Sequence, residues 1–220
     1  MRIGTAGIRV DKKVRTKRPH LERQQQIVEA ARKIITSGGM EHLTVRALAE
    51  SLGLSQAALY RHVRSKQDIL MLVLQDIETT LLHEVGEAQK ENSSALEKLR
   101  KTLNAHLSYS ERHRGVGFLV INEALCLQSR ELRTRAGALV ESYLELIKKV
   151  LLEGQEEGVI RDNVDVEVAA RLFFGMVQSN VTLWALQSHA FPLGGRQEEF
   201  WELYRAGVSS NGKSGKEVQP

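Results

Sequence analysis

The chain has 220 residues, 42% of them apolar and 26% charged, with 3 Pro and a single cysteine. No apolar run reaches the roughly 18 residues of a membrane span, and the basic start lacks the apolar segment of a secretory signal. One cysteine, Cys126, excludes an internal disulfide framework, so a cytoplasmic, reducing compartment is expected. The net charge of +4 conceals a division along the chain. Residues 1–66 hold 14 Lys/Arg against 5 Asp/Glu, a balance of +9, and the remainder holds 17 against 22, a balance of −5. A basic head on an acidic body points to a polyanionic partner for the head.

In chain order, residues 1–20 carry scattered charge and no apolar period, which predicts a flexible basic arm. From Leu21 a helical period begins, with Ile27, Ala31, Ile34 and Ile35 on one face and a stop at Gly38-Gly39. Thr44 is placed to open a short helix with Val45, Leu48, Ala49 and Leu52 inward. Gly53 breaks that helix, and Ser55 caps the next, with Leu59 and Val63 facing in. Ser65 and Asp68 have capping-box spacing before a long helix running towards Gly86, and Ser94 and Glu97 repeat that spacing. Gly115 and Gly117 mark a connection before the apolar stretch Phe118–Leu127, and residues 130–157 form a helix ending near Gly158. Asp162-Asn163 is expected to cap the last major helix, and a short helix follows near Glu198–Arg205. The expected domains are an arm at 1–20, a basic helical unit at 21–66, a helical body at 67–206 and a disordered tail at 207–220. Strand signals are nearly absent, so the fold class is all-α: a three-helix N-terminal unit and a C-terminal helical bundle.

The stretch LTVRALAESLGLSQAALYRHVRSK, residues 43–66, carries the chemistry. A short helix, a turn opening with Gly53 and a second short helix make a helix-turn-helix. Small Ala49 permits the close crossing, and Leu48, Leu52, Leu54 and Leu59 supply a shared core. The outer face then holds Gln56, Ala57, Tyr60, Arg61 and Arg64. Gln can bond adenine and Arg guanine in a bidentate manner in the major groove, while Ala57 admits a base edge or a thymine methyl. Tyr60, His62 and Lys66 offer donors to phosphate, and Ser55 stands at a helix N-terminus where a phosphate is favoured.

Residues 24–70, QQQIVEAARKIITSGGMEHLTVRALAESLGLSQAALYRHVRSKQDIL, resemble the N-terminal domain of the tetracycline-repressor (TetR/AcrR) family of transcriptional regulators. The resemblance implies an all-helical homodimer with two recognition helices and a separate ligand-binding, dimerising body. It implies base contacts for Arg46, Gln56, Ala57 and Arg61, and phosphate contacts for Thr44, Tyr60, His62 and Lys66. Two-fold symmetry would set the recognition helices about 34–36 Å apart on a palindromic operator in double-stranded DNA. The expected function is therefore a sequence-specific repressor released from its operator by a small-molecule effector of apolar character. The alternative is an effector-independent architectural or division-linked DNA-binding protein on the same scaffold.

For the body, the resemblance implies that the apolar positions Leu172, Phe173, Val177, Phe200 and Trp201 pair with their copies in a four-helix interface. His106, Phe118, Met176 and Trp184 are the candidate pocket residues. His106 and His113 are read as surface or helix-end histidines rather than metal ligands, and Cys126 as a small buried apolar residue. No cofactor or metal is expected, and no GxSxG, P-loop, GxGxxG or HExxH pattern occurs, so no enzyme is expected.

Overall fold

The computed structural model describes residues 12–90, 92–195 and 197–210, with backbone alone for residues 12–20 and 195. Residues 1–11 of the expected arm and 211–220 of the expected tail lie outside the described residues. Two compact units, Met1–Leu72 and Val73–Pro220, divide the chain. Among the described residues the regular structure is helical, with one isolated antiparallel bridge between Ile160 and Ser209.

In the first unit, α1 (Lys12–Gly38) begins well before Leu21, so part of the expected arm is helical. Lys and Arg at 12–18 are good helix formers although they supply no apolar stripe, which is why the period gave no warning. The helix buries Ile27, Ala31 and Ile35, while Ile34 is half-buried. It ends where Gly39 turns to φ 87°, followed by a 3₁₀ turn at Met40–His42. Thr44 caps α2 (Val45–Ser51) by accepting the Ala47 N–H at 3.0 Å. Gly53, at φ 64°, provides the left-handed residue between α2 and α3 (Gln56–Leu59). Ser55 caps α3 by accepting the Ala58 N–H at 3.2 Å. Leu48, Ala49, Leu59 and Val63 are buried, and Leu52 and Leu54 half-buried, so the small core forms on the expected side.

Ser65 opens α4 (Lys66–Gln89) by accepting the Asp68 N–H at 3.1 Å. The Asp68 carboxylate reaches back to the Arg64 N–H at 2.7 Å, one residue earlier than in the usual capping box. Gly86 does not end this helix, since a single glycine inside a buried helix weakens it without stopping it.

In the second unit, α5 (Ala95–Arg112) is capped by Ser94 and buries Leu99, Leu103 and Leu107. Gly115, at φ 68°, then redirects the chain into α6 (Val116–Cys126). Helix α7 (Arg130–Glu156) packs on α8 (Val166–Leu186), and the ammonium of the largely buried Lys148 side chain lies 2.9 Å from Glu167 across that contact. Helix α8 is capped by Asp165, which accepts the N–H groups of Glu167 and Val168, and not by Asp162-Asn163. The earlier pair lies in a turn closed by the Val164 N–H on the Arg161 carbonyl at 3.1 Å. Helix α9 (Gln197–Val208) is tied to α8 by Tyr204, whose hydroxyl donates to the Ala169 carbonyl at 3.0 Å. It runs past the start of the expected tail, and the bridge from Ser209 to Ile160 orders the chain further. No helix among the described residues is long and apolar enough to cross a membrane.

Candidate functional site

Two regions of the chain gather functional side chains, one in each unit. In the first, Gln56, Ala57, Tyr60, Arg61, His62 and Arg64 are all exposed at and just after α3. Leu59 at the end of α3 and Val63 just beyond it are committed to the core, which turns Tyr60, Arg61 and His62 between them outward. Thr44 and Ser55 are exposed, and each spends a lone pair on a helix N–H. A hydroxyl that accepts in this way keeps its own hydrogen to donate. Arg46 is exposed and its Nε lies 2.9 Å from Glu50, an i, i+4 pair on α2 whose hydrogen bond raises the Arg46 pKa. Such a solvated pair is weak and opens readily towards a stronger anion. Lys66 is half-buried at the start of α4.

In the second unit a small cavity of about 30 Å³ lies among α4, α5, α6, α7 and α8. Its walls include Ile77 and Leu81 from α4, Phe118 from α6, Tyr143 from α7 and Phe174 from α8. Helix α5 contributes His106, Tyr109, Ser110 and His113, an i, i+3, i+4, i+7 stripe that brings polar groups inward. His106 is therefore buried, contrary to the surface reading, whereas His113 sits at the C-terminal cap of α5 as a helix-end residue. Burial without a counter-charge pushes the His106 pKa down to about 4, so its ring is neutral near neutral pH. The same desolvation raises the Tyr143 pKa, with a smaller contribution from Tyr204. The two rings meet edge to face with centroids 4.9 Å apart.

The remaining pocket candidates part company. Phe118 lines the cavity with His106, but Met176 lines a solvent-open groove of about 460 Å³ between α8 and α9. Trp184 is buried against Gly115 and His189, and its indole N–H donates to the Phe191 carbonyl at 2.7 Å. Spacing alone left Tyr143, Tyr109 and Phe174 unnoticed, although the polar stripe from His106 to His113 was a usable signal.

The candidate interface residues divide in the same way. Leu172 is exposed and Phe200 half-buried, and both line the groove. Phe173, Val177 and Trp201 are buried inside the chain's own core, which leaves them no surface to offer a partner. The exposed apolar positions of α8 are instead Val168, Leu172, Leu183 and Leu186, with Leu203 on α9. Cys126 is exposed at the end of α6, because the inward face of that helix is filled by Val116, Val120 and Ala124.

Comparison with known proteins places both units. Residues 27–72 match the family described as bacterial regulatory proteins, tetR family, and residues 75–207 match the YsiA-like protein, C-terminal region. The fatty acid metabolism regulator protein of Bacillus subtilis is 26% identical over 195 residues, covering 89% of this chain and 98% of its own. The nucleoid occlusion factor SlmA of Vibrio vulnificus is 26% identical over 187 residues, covering 84% and 95%. Among solved structures, the transcriptional regulator FadR from Bacillus subtilis, in complex with stearoyl-CoA, superposes with a TM-score of 0.75 at 25% identity, covering 84% of this chain and 98% of that one. Together the two matches span most of the described chain: it belongs to the tetR family of bacterial transcriptional regulators.

Proposed function

We propose that this regulator is a cytoplasmic homodimeric repressor whose grip on a palindromic operator is released by a long-chain acyl-CoA or a ligand of similar build. Residues 21–66 form the DNA-reading part, with the basic arm before them, and residues 67–206 the sensing and dimerising part. Gln56, Ala57, Arg61 and, once freed from Glu50, Arg46 read base edges. Thr44, Ser55, Tyr60, His62 and Lys66 hold phosphates. A second copy covers the apolar stripe of Val168, Leu172, Leu183 and Leu186 together with Phe200 and Leu203. Burying such a stripe supplies the association free energy of a helical dimer.

The observation that carries the effector reading is the cavity. It is apolar in the main, it contains buried polar atoms, and Ile77 and Leu81 of α4 form part of its wall. The same helix begins at Lys66, beside the proposed DNA-contacting residues. At about 30 Å³ the cavity holds a water or two, far short of the roughly 300–1,000 Å³ of a small-molecule pocket. A ligand must therefore widen it, and a ligand that binds only the widened state shifts the population towards that state. A full switch in operator occupancy needs a preference of about 5.5 kcal/mol for the widened state.

The likeness to a nucleoid occlusion factor supports the effector-independent alternative, but the internal cavity favours the ligand-responsive one. Selection of bound fragments from genomic DNA, followed by titration of stearoyl-CoA into the complex, separates the two. Release of the DNA is expected. Retention at saturating ligand, with acyl-CoAs of every chain length, would support the alternative.

A further inference from the structure

The cavity contains an unusual pair. His106 and Tyr143 are 6% and 2% exposed, and neither the His106 Nδ1 nor the Tyr143 hydroxyl has a hydrogen-bond partner. Buried polar atoms are almost always paired, so two orphans on the wall of one cavity need an explanation. We propose that His106 and Tyr143 form a subsite for a neutral oxygen, a hydroxyl or a carbonyl, carried on the otherwise apolar body of the ligand. This rests on the reading that the cavity takes the effector, and it names the chemical group by which that effector is chosen.

Complementarity sets the class. The cavity wall has no Lys, Arg, Asp or Glu, so a buried carboxylate or ammonium would have no counter-charge there. A neutral imidazole offers one donor and one acceptor, and a phenol offers both. A carbonyl oxygen can accept from both rings, and a hydroxyl can accept from one while donating to the other. Either arrangement satisfies both orphaned atoms, whereas a plain methylene chain laid against them satisfies neither. Tyr109 is less suited to this role, because its hydroxyl is already hydrogen-bonded to Thr80 Oγ1 at 3.1 Å. The oxygen can come from a thioester carbonyl or from a substituent along the chain, and the two sources are separable by ligand.

The test compares stearoyl-CoA, a mid-chain hydroxystearoyl-CoA and free stearate on wild type and Tyr143→Phe, with direct binding by calorimetry and DNA release measured side by side. The hydroxyl of Tyr143 has no partner, so Tyr143→Phe is expected to fold with an unchanged or raised Tm. Binding of the CoA ester whose oxygen reaches the pair should weaken about tenfold or more in the variant. Loss confined to the hydroxylated ester places a chain oxygen at the pair, and equal loss for both esters places the thioester carbonyl there. Free stearate should bind wild type more weakly than either ester. Binding equal in wild type and variant, with DNA still released, would overturn the subsite and leave the effector reading standing; a resident water would then account for the pair. Variant-sensitive binding without DNA release would uphold the subsite and overturn the effector reading. No binding by any of the three would overturn both.

Discussion

Replacing Leu172 with Glu tests the proposal that the exposed apolar face of α8 meets a second copy. Leu172 is 63% exposed in the single chain, so about two thirds of its side chain remains to be covered by a partner. Full burial of a leucine stabilises by about 1.5–3 kcal/mol, so covering this fraction contributes about 1–2 kcal/mol for each copy. Two-fold symmetry doubles the effect to about 2–4 kcal/mol, or roughly thirty- to a thousand-fold in the dimer Kd. A buried unpaired carboxylate adds to the loss. Because Leu172 is mostly exposed in its own chain, protomer stability should change far less, by about 0.5 kcal/mol. Sedimentation equilibrium should show monomers at concentrations where the wild type is dimeric, and operator affinity should fall in parallel. A dimer of unchanged Kd would refute the assignment of this face. The contrasting variant Phe173→Ala cuts into the core, where Phe173 has no exposed surface, and should cost about 3–5 kcal/mol of folding stability.

Other consequences follow from the same geometry. Gln56→Ala should weaken cognate binding by about 1–3 kcal/mol and relax preference at one base pair, as read by binding to a library of single-base operator variants. Tyr60→Phe should weaken binding to all sequences alike, so equal affinities for wild type and variant on random DNA would remove Tyr60 from the phosphate contacts. His106 resists protonation in the folded protein until about pH 4, whereas the unfolded chain takes up that proton near its ordinary value of 6.5. The group contributes nothing to pH dependence above about 6.5, and stability falls as pH drops from there to 4, by about 3 kcal/mol in all. Of the groups facing it, Tyr143, its pKa raised by burial, stays neutral through that window, and Tyr109 and His113 are common to both proteins. Urea melts of His106→Leu at pH 7 and 4.5 should therefore show a smaller acid loss than wild type; identical losses would contradict the buried neutral ring. Gly154→Ala would place a methyl 2.5 Å from Ile160 Cδ1 and 3.0 Å from Ala95 Cβ, and should lower stability by about 1–3 kcal/mol in thermal melts.

Helix beginnings were the most legible part of the sequence, because a cap is a local bargain between one side chain and two or three N–H groups. Thr44, Ser55, Ser65 and Ser94 all cap where expected. Two beginnings differ from expectation: α1 starts at Lys12, before any apolar period, and α8 is capped by Asp165, where Asp162, Asn163 and Asp165 are all good caps and packing selects the last. The face of α8 was illegible for a related reason. Apolar residues surround it, and the choice between Phe173 and Leu172 for the core depends on where α7 and α9 lie. The exposed set at and after α3 could be picked out because a core of Leu48, Leu59 and Val63 leaves a single outward face. The cavity could not, since it is assembled from five helices and pairs His106 with a tyrosine on α7.

The account turns on ligand-controlled release of DNA. The most direct measurement is the fluorescence anisotropy of a labelled operator, selected from genomic fragments, as stearoyl-CoA is added to its complex with the full chain. Saturable release is predicted, with the midpoint moved to lower ligand concentration when the protein is diluted towards its DNA Kd. An unchanged anisotropy, with ligand binding confirmed separately by calorimetry, would contradict it.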